Sequence, residues 1–152
     1  MLGTYPMPRT QVNQEEAPDE KKAQLSAPPA VGWRHRTTMK VEKLKYTIWA
    51  ADRDRAQAFY QTVFGAEVVR ENPAIVEVSV ADGLISIHGG GEGKTTWTGL
   101  TFQVADVITG AAEVVAAGGT LAREPQDEDG EPPHLAMCSD PEGNQIMLTR
   151  AR

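Results

Sequence analysis

Tyr46-Thr47-Ile48-Trp49-Ala50-Ala51-Asp52 leads into an amphipathic stretch that stops at Gly65. Leu100-Thr101-Phe102-Gln103-Val104-Ala105-Asp106 leads into a second one that reaches Gly118-Gly119. Asp52 and Asp106 stand 54 positions apart, and so do Gly65 and Gly119. A fixed offset of this kind marks an internal duplication. Each aspartate can accept the free N–H groups of a first helical turn. Each glycine can take the left-handed conformation that ends a helix.

Between these markers the apolar residues recur at helical spacing. Ala56, Phe59, Tyr60, Val63 and Phe64 form one face of the first helix, and Val107, Ala111, Val114 and Val115 one face of the second. Three strands follow each helix. In the first unit they are Glu67–Arg70, Ala74–Ala81 and Leu84–His88, with Asp82-Gly83 as a tight hairpin turn. In the second they are Thr120–Arg123, His134–Ser139 and Gln145–Thr149, with Asp140-Pro141-Glu142-Gly143-Asn144 as the turn. The reading is an α+β fold: two βαβββ modules, 41–88 and 99–150, joined by a glycine-rich linker at His88–Thr98.

Period-2 alternation separates the faces of the strands. Ile48, Val76, Val78, Ile85, Ile87, Leu100, Phe102, Ile146 and Leu148 belong to an apolar set that must pack under the helices. Lys45, Thr47, Trp49, Ile75, Glu77, Ser86, His88, Thr101, Gln103 and Met147 belong to a mixed set facing away from them. A curved sheet gathers that set into a cleft, because Trp49, Ile75 and Met147 need cover.

The first forty residues read differently. Pro6, Pro8, Pro18, Pro28 and Pro29 interrupt a run rich in Gln, Glu, Asp and Lys. Such a segment cannot offset its ordering entropy by burial, so 1–40 is expected to be a disordered or loosely docked tail. Trp33, followed by Arg34, His35 and Arg36, is a candidate anchor in it, and Met39 a candidate alternative start.

Composition bounds the partners. The net charge of −6 and the pI near 5.1 argue against nucleic acid and anionic membranes. Cys138 is the single cysteine, so no intramolecular disulfide forms, which fits a reducing, cytoplasmic setting. No apolar run approaches the ~20 residues of a bilayer span. No secretory pattern opens the chain.

Two loops fail as ligand motifs. Gly89-Gly90-Gly91-Glu92-Gly93-Lys94-Thr95 has His88 where a phosphate loop needs glycine, and a strand follows it instead of a helix. Its reading is a flexible linker, with a lid over the cleft as a secondary role. Asp127-Glu128-Asp129-Gly130 has Pro125 at the first position of a calcium loop and no flanking helices.

Asp52-Arg53-Asp54-Arg55-Ala56-Gln57-Ala58-Phe59-Tyr60 with Val63-Phe64-Gly65 resembles the first-helix signature of the vicinal-oxygen-chelate (glyoxalase/bleomycin-resistance/dioxygenase) superfamily. Asp140-Pro141-Glu142-Gly143-Asn144 resembles its last-hairpin signature. The resemblance implies paired modules forming a U-shaped mixed sheet, helices on its convex face, and a homodimer. Metal-using members take His, Gln or Glu ligands at the start of each module's first strand and the middle of its last. The matching positions here are Lys45, Ser86, Gly99 and Met147. None suits a divalent ion that polarises an enediolate or binds dioxygen.

The expectation is therefore a metal-free, cofactor-free protein that binds or sequesters a small molecule. Its ligand-binding set is Lys45, Thr47, Trp49, Glu77, Ser86, His88, Thr101, Gln103 and Met147. Two alternatives stand beside it. One is a glyoxalase-like lyase or isomerase, or a dioxygenase-related enzyme, using a metal site rebuilt from His88, Glu77 and Gln103, or acid/base work by Glu77, His88 or Lys45. The other is a ligand-free interaction module.

Overall fold

In the computed structural model, residues 40–127 and 129–151 are described. The expectations about the tail, Trp33 and Met39 lie outside them. Val41–Arg152 form one compact unit. Its order is β1 (Tyr46–Ala50), α1 (Arg53–Phe64), β2 (Glu67–Glu71), β3 (Ile75–Val80), β4 (Gly83–Gly89), β5 (Thr96–Gln103), α2 (Val107–Ala116), β6 (Thr120–Leu121), β7 (Leu135–Ser139) and β8 (Asn144–Thr149). This is the expected α+β pair of βαβββ modules. Each module builds its own four-stranded mixed sheet, in the orders β1-β4-β3-β2 and β5-β8-β7-β6. In each, the first strand runs parallel to the last, and the other pairings are antiparallel.

The helices start where the aspartates put them. The Asp52 side chain accepts from Arg55 N at 3.0 Å, and that of Asp106 from Thr109 N at 3.0 Å. Their ends differ from each other. Gly65 closes α1 in the left-handed region, φ +61°. In α2 that role falls to Gly118, φ +92°, and not to Gly119. Gly119 is needed for space: a Cβ there would lie 2.6 Å from the Ser139 carbonyl oxygen. Ala56, Phe59 and Tyr60 of α1 and Val107, Ala111 and Val114 of α2 are buried as expected. Val115 is 48% exposed, because it sits on the flank of a helix that ends one residue later.

Other boundaries shift. The first hairpin turns on Ala81-Asp82, one residue earlier than expected, with Ala81 at φ +48°. β6 shrinks to two residues, pairing only with Ser139 and Cys138 of β7. The linker is tied down rather than free: Gly91 N donates to Ala50 O, and Thr96 N to Gly143 O, each at 2.9 Å.

The core is one cluster spanning both modules, from Ile48, Val76, Val78, Ile85 and Ile87 to Leu100, Ala136, Ile146 and Leu148. Phe64 of α1 stacks on Phe102 of β5, with ring centres 3.8 Å apart. The modules also share a polar joint. The Glu142 carboxylate, with no exposed side-chain surface, accepts from Ala51 N at 2.7 Å, Asp52 N at 2.9 Å and Arg55 Nε at 2.6 Å. Beside it Asp140 accepts from Tyr60 Oη at 3.1 Å and from Asn144 Nδ2 at 2.9 Å.

Removing the Glu142 carboxylate leaves two main-chain donors and a guanidinium without their partner. Glu142→Ala is therefore expected to lower the unfolding free energy by ~2–3 kcal/mol, and Glu142→Gln by less, since an amide oxygen still accepts. Urea denaturation measures both.

Candidate functional site

The mixed strand face starts from alternation. In β1, Ile48 and Ala50 are buried while Thr47 and Trp49 are exposed. In β3, Val76 and Val78 are buried while Ile75 and Glu77 are partly open. Register then aligns the first module's polar side chains. Thr47 lies opposite Ser86, Trp49 opposite His88, and Glu77 opposite Ser86.

These neighbours make contact. Lys45 Nζ donates to Glu77 Oε1 at 2.7 Å, and Ser86 Oγ donates to the same oxygen at 3.1 Å. Ser86 is buried, and the Glu77 side chain is 13% exposed against 42% for Lys45. The Lys45 hydrogen bond holds the Glu77 carboxyl below the ordinary glutamate range, against the opposing effect of desolvation, with Ser86 assisting. The Trp49 and His88 rings meet at 4.9 Å, tilted by 47°. Trp49 stays 55% exposed, so its indole presents a free aromatic surface. Asn144 Nδ2 fixes this position by donating to Trp49 O at 2.9 Å.

The second module contributes less. Thr101 lies opposite Met147 in the β5–β8 ladder, and Gln103 opposite Thr149. Thr101 and Gln103 are exposed and Met147 is half-buried. Thr101 and Gln103 also line a recess at the end of β5, walled by Phe64, Leu84, Leu100 and Phe102. Five of the nine expected residues, Lys45, Trp49, Glu77, Ser86 and His88, thus form two touching groups, with Thr47 beside Ser86 in the ladder.

The four positions matched to metal ligands do not fit a cation. Lys45 is an ammonium in an ion pair, and Ser86 donates its hydroxyl to Glu77. Gly99 sits in an irregularity of β5, φ +70°, where the pairing with β8 slips between Trp97 and Leu100. Thr98 Oγ1 takes up the slack there, accepting from Leu100 N at 3.0 Å. Met147 offers a thioether, too soft a donor for a hard divalent ion. Among the described residues no three of His, Cys, Asp and Glu are grouped to hold a metal. Of the expected substitutes, the Glu77 carboxylate is engaged by Lys45 and Ser86, and the His88 ring lies against Trp49. Cys138 is buried, and burial raises its thiol to about 11, which suits an inert side chain.

Sequence reading missed the Glu142–Arg55 joint and the recess at β5. The unequal lengths of the two hairpins carry the relevant information. Val80 and Gly83 pair across two residues, whereas Asp140, whose N donates to Asn144 O at 3.0 Å, and Asn144 enclose three.

Because its folded value is depressed, the Glu77 ion pair holds at neutral pH and is lost as acidification passes that lowered value. In a carboxyl NMR titration, Lys45→Met is expected to move Glu77 back up toward the ordinary range. An unchanged midpoint would assign the depression to Ser86 instead.

Comparisons with known proteins agree with this geometry. The glyoxalase-like domain family matches residues 45–149. No curated protein matches the chain. Among solved structures, the genomically encoded fosfomycin resistance protein FosX from Listeria monocytogenes is similar, with TM-score 0.63 and 20% identity over 75% of this chain and 94% of that one. A glyoxalase/bleomycin resistance protein/dioxygenase family enzyme from Burkholderia phytofirmans PsJN gives TM-score 0.57 and 21% identity, covering 70% of this chain and 95% of the other. The hypothetical protein SA1046 from S. aureus gives 0.56 and 15%, covering 74% and 95%. At these identities the structures show a shared fold. No helix among the described residues is long and apolar enough to cross a membrane. Together, the two modules and the match over 45–149 show that the chain belongs to the glyoxalase-like domain family.

Proposed function

We propose that this protein binds or sequesters a small molecule on the mixed strand face, without a metal ion. One observation carries the reading: an ion-paired lysine, a committed serine, a glycine in a strand irregularity and a methionine stand where metal-using relatives place ligands. What remains on that face suits recognition. Trp49 offers an aromatic platform backed by His88. Lys45, the more exposed partner, can turn from Glu77 to an acidic group on a ligand, with Ser86 still donating to the Glu77 carboxylate. The ligand class is thus an aromatic or other flat molecule with an acidic group. A cytoplasmic homodimer is the assembly and setting inferred with it.

An enzymatic reading receives less support. FosX structures include a variant with Mn(II) and 1S,2S-dihydroxypropylphosphonic acid, but that is a property of the Listeria protein. A general base working near neutrality needs a raised carboxyl, and that of Glu77 is lowered.

Titration of the full chain with 2-naphthoate, followed by amide NMR, tests the proposal. The expected result is saturable binding centred on β1 and β4. Trp49→Ala should weaken it by about tenfold. Lys45→Met should abolish the preference for 2-naphthoate over its neutral amide. Binding that ignores both substitutions would overturn the reading.

A further inference from the structure

Away from the Lys45–Glu77 and Trp49–His88 groups lies a half-open recess of about 580 Å³. Val63 and Phe64 from the end of α1, Leu84 from the first hairpin, Leu100 and Phe102 from β5, and Val104 just after it supply its apolar walls. No residue lining it carries a formal charge.

The duplication explains why the space exists. In the second module the five residues between Ser139 and Gln145 project against the first turn of α1, where Glu142 and Asp140 meet Ala51, Asp52, Arg55 and Tyr60. The first module's hairpin has two residues between Val80 and Gly83. It is one residue shorter than the three enclosed by the equivalent pair Asp140 and Asn144, and it leaves ground open beside the end of β5. Where one module places a buried carboxylate, the other leaves an apolar hollow.

One wall of that hollow carries polar main chain. Val104 N donates to Thr149 O at 2.7 Å, so that N–H points toward β8. Alternation along the strand turns the main-chain groups of Gln103 the other way, toward the recess. Among the described residues β5 has no strand partner on that side.

We propose that this recess is a second binding site, for a compact, uncharged, largely apolar molecule with one or two hydrogen-bonding groups. Its volume falls in the ~300–1,000 Å³ range of small-molecule pockets, and its lining has their composition of apolar walls with few polar groups. The stacked Phe64 and Phe102 rings give an aromatic guest a partner surface. An ion would lose hydration there with no charged group to offset it. A second protein copy is the poorer occupant: a stable dimer needs ~800 Å² of contact per partner, and this feature is a hollow walled by three elements. The proposal is independent of what the mixed strand face binds.

Indole, neutral and bicyclic, is a suitable probe for the full-length ¹⁵N-labelled chain. Saturable amide shifts are expected at Val80–Leu84 and Leu100–Val104, with intermolecular NOEs from indole to the Val63 and Val104 methyl groups. Val104→Phe and Val63→Phe, each filling the hollow, should weaken binding by about tenfold or more while keeping a dispersed spectrum. The NOEs locate the probe even if a variant fails to fold. Absence of saturable shifts, shifts confined to the surroundings of Trp49 and His88, or insensitivity to both folded variants would overturn the proposal. So would sedimentation showing a dimer that either filling variant dissociates, because the hollow would then seat a second copy.

Discussion

The carboxylate of Glu142 is the constraint on which the arrangement of the two modules rests. A buried charge is costly unless its lone pairs are occupied by well-placed donors. Here two main-chain N–H groups and the Arg55 guanidinium occupy them, all from the start of the first module's helix. The last hairpin of the second module is thereby locked to the first helical turn of the other. Glu142 acts on Arg55 in return, raising its value through their hydrogen bond and charge pairing. Asp140 extends the joint to the buried Tyr60 hydroxyl. Burial raises both the Asp140 carboxyl and the Tyr60 hydroxyl.

From that joint the mixed strand face follows. Asn144, one residue beyond the clamped turn, holds the Trp49 carbonyl and so sets where the indole stands. The linker crosses the same region, tied to Ala50 and Gly143 by main-chain hydrogen bonds. A recess of about 410 Å³ lies between Trp49, the linker and Glu142.

Much of this was legible in the sequence because it depends on local rules. Asp52 and Asp106 announce helix starts through their own side chains, and strand alternation sorts Ile48 from Trp49 without tertiary knowledge. What escaped depends on contacts between distant segments. Gly118 and Gly119 are indistinguishable as letters, and only the approach of Ser139 decides which one must stay small. Val115 fits the helical period, yet the helix ends before anything covers it. The buried role of Glu142 requires knowing that residues 87 and 91 positions away lie beside it. In the site, Lys45, Glu77 and Ser86 were placed on one face by period alone, and register brought them into contact. Thr101 and Gln103 were placed by the same rule, but the short first hairpin leaves them beside a hollow that no strand pattern encodes.

We propose that an ion pair, a strand irregularity and a thioether stand here where metal-using relatives hold their ion. Metal content of the untagged, mildly dialysed protein, measured by plasma mass spectrometry before and after adding back zinc, nickel, manganese and iron(II), tests it most directly. The account predicts far less than one equivalent of any of them under both conditions. Near-stoichiometric retention of one of these ions, lost on mutating His88 or Glu77, would contradict it and return the protein to metal-dependent chemistry.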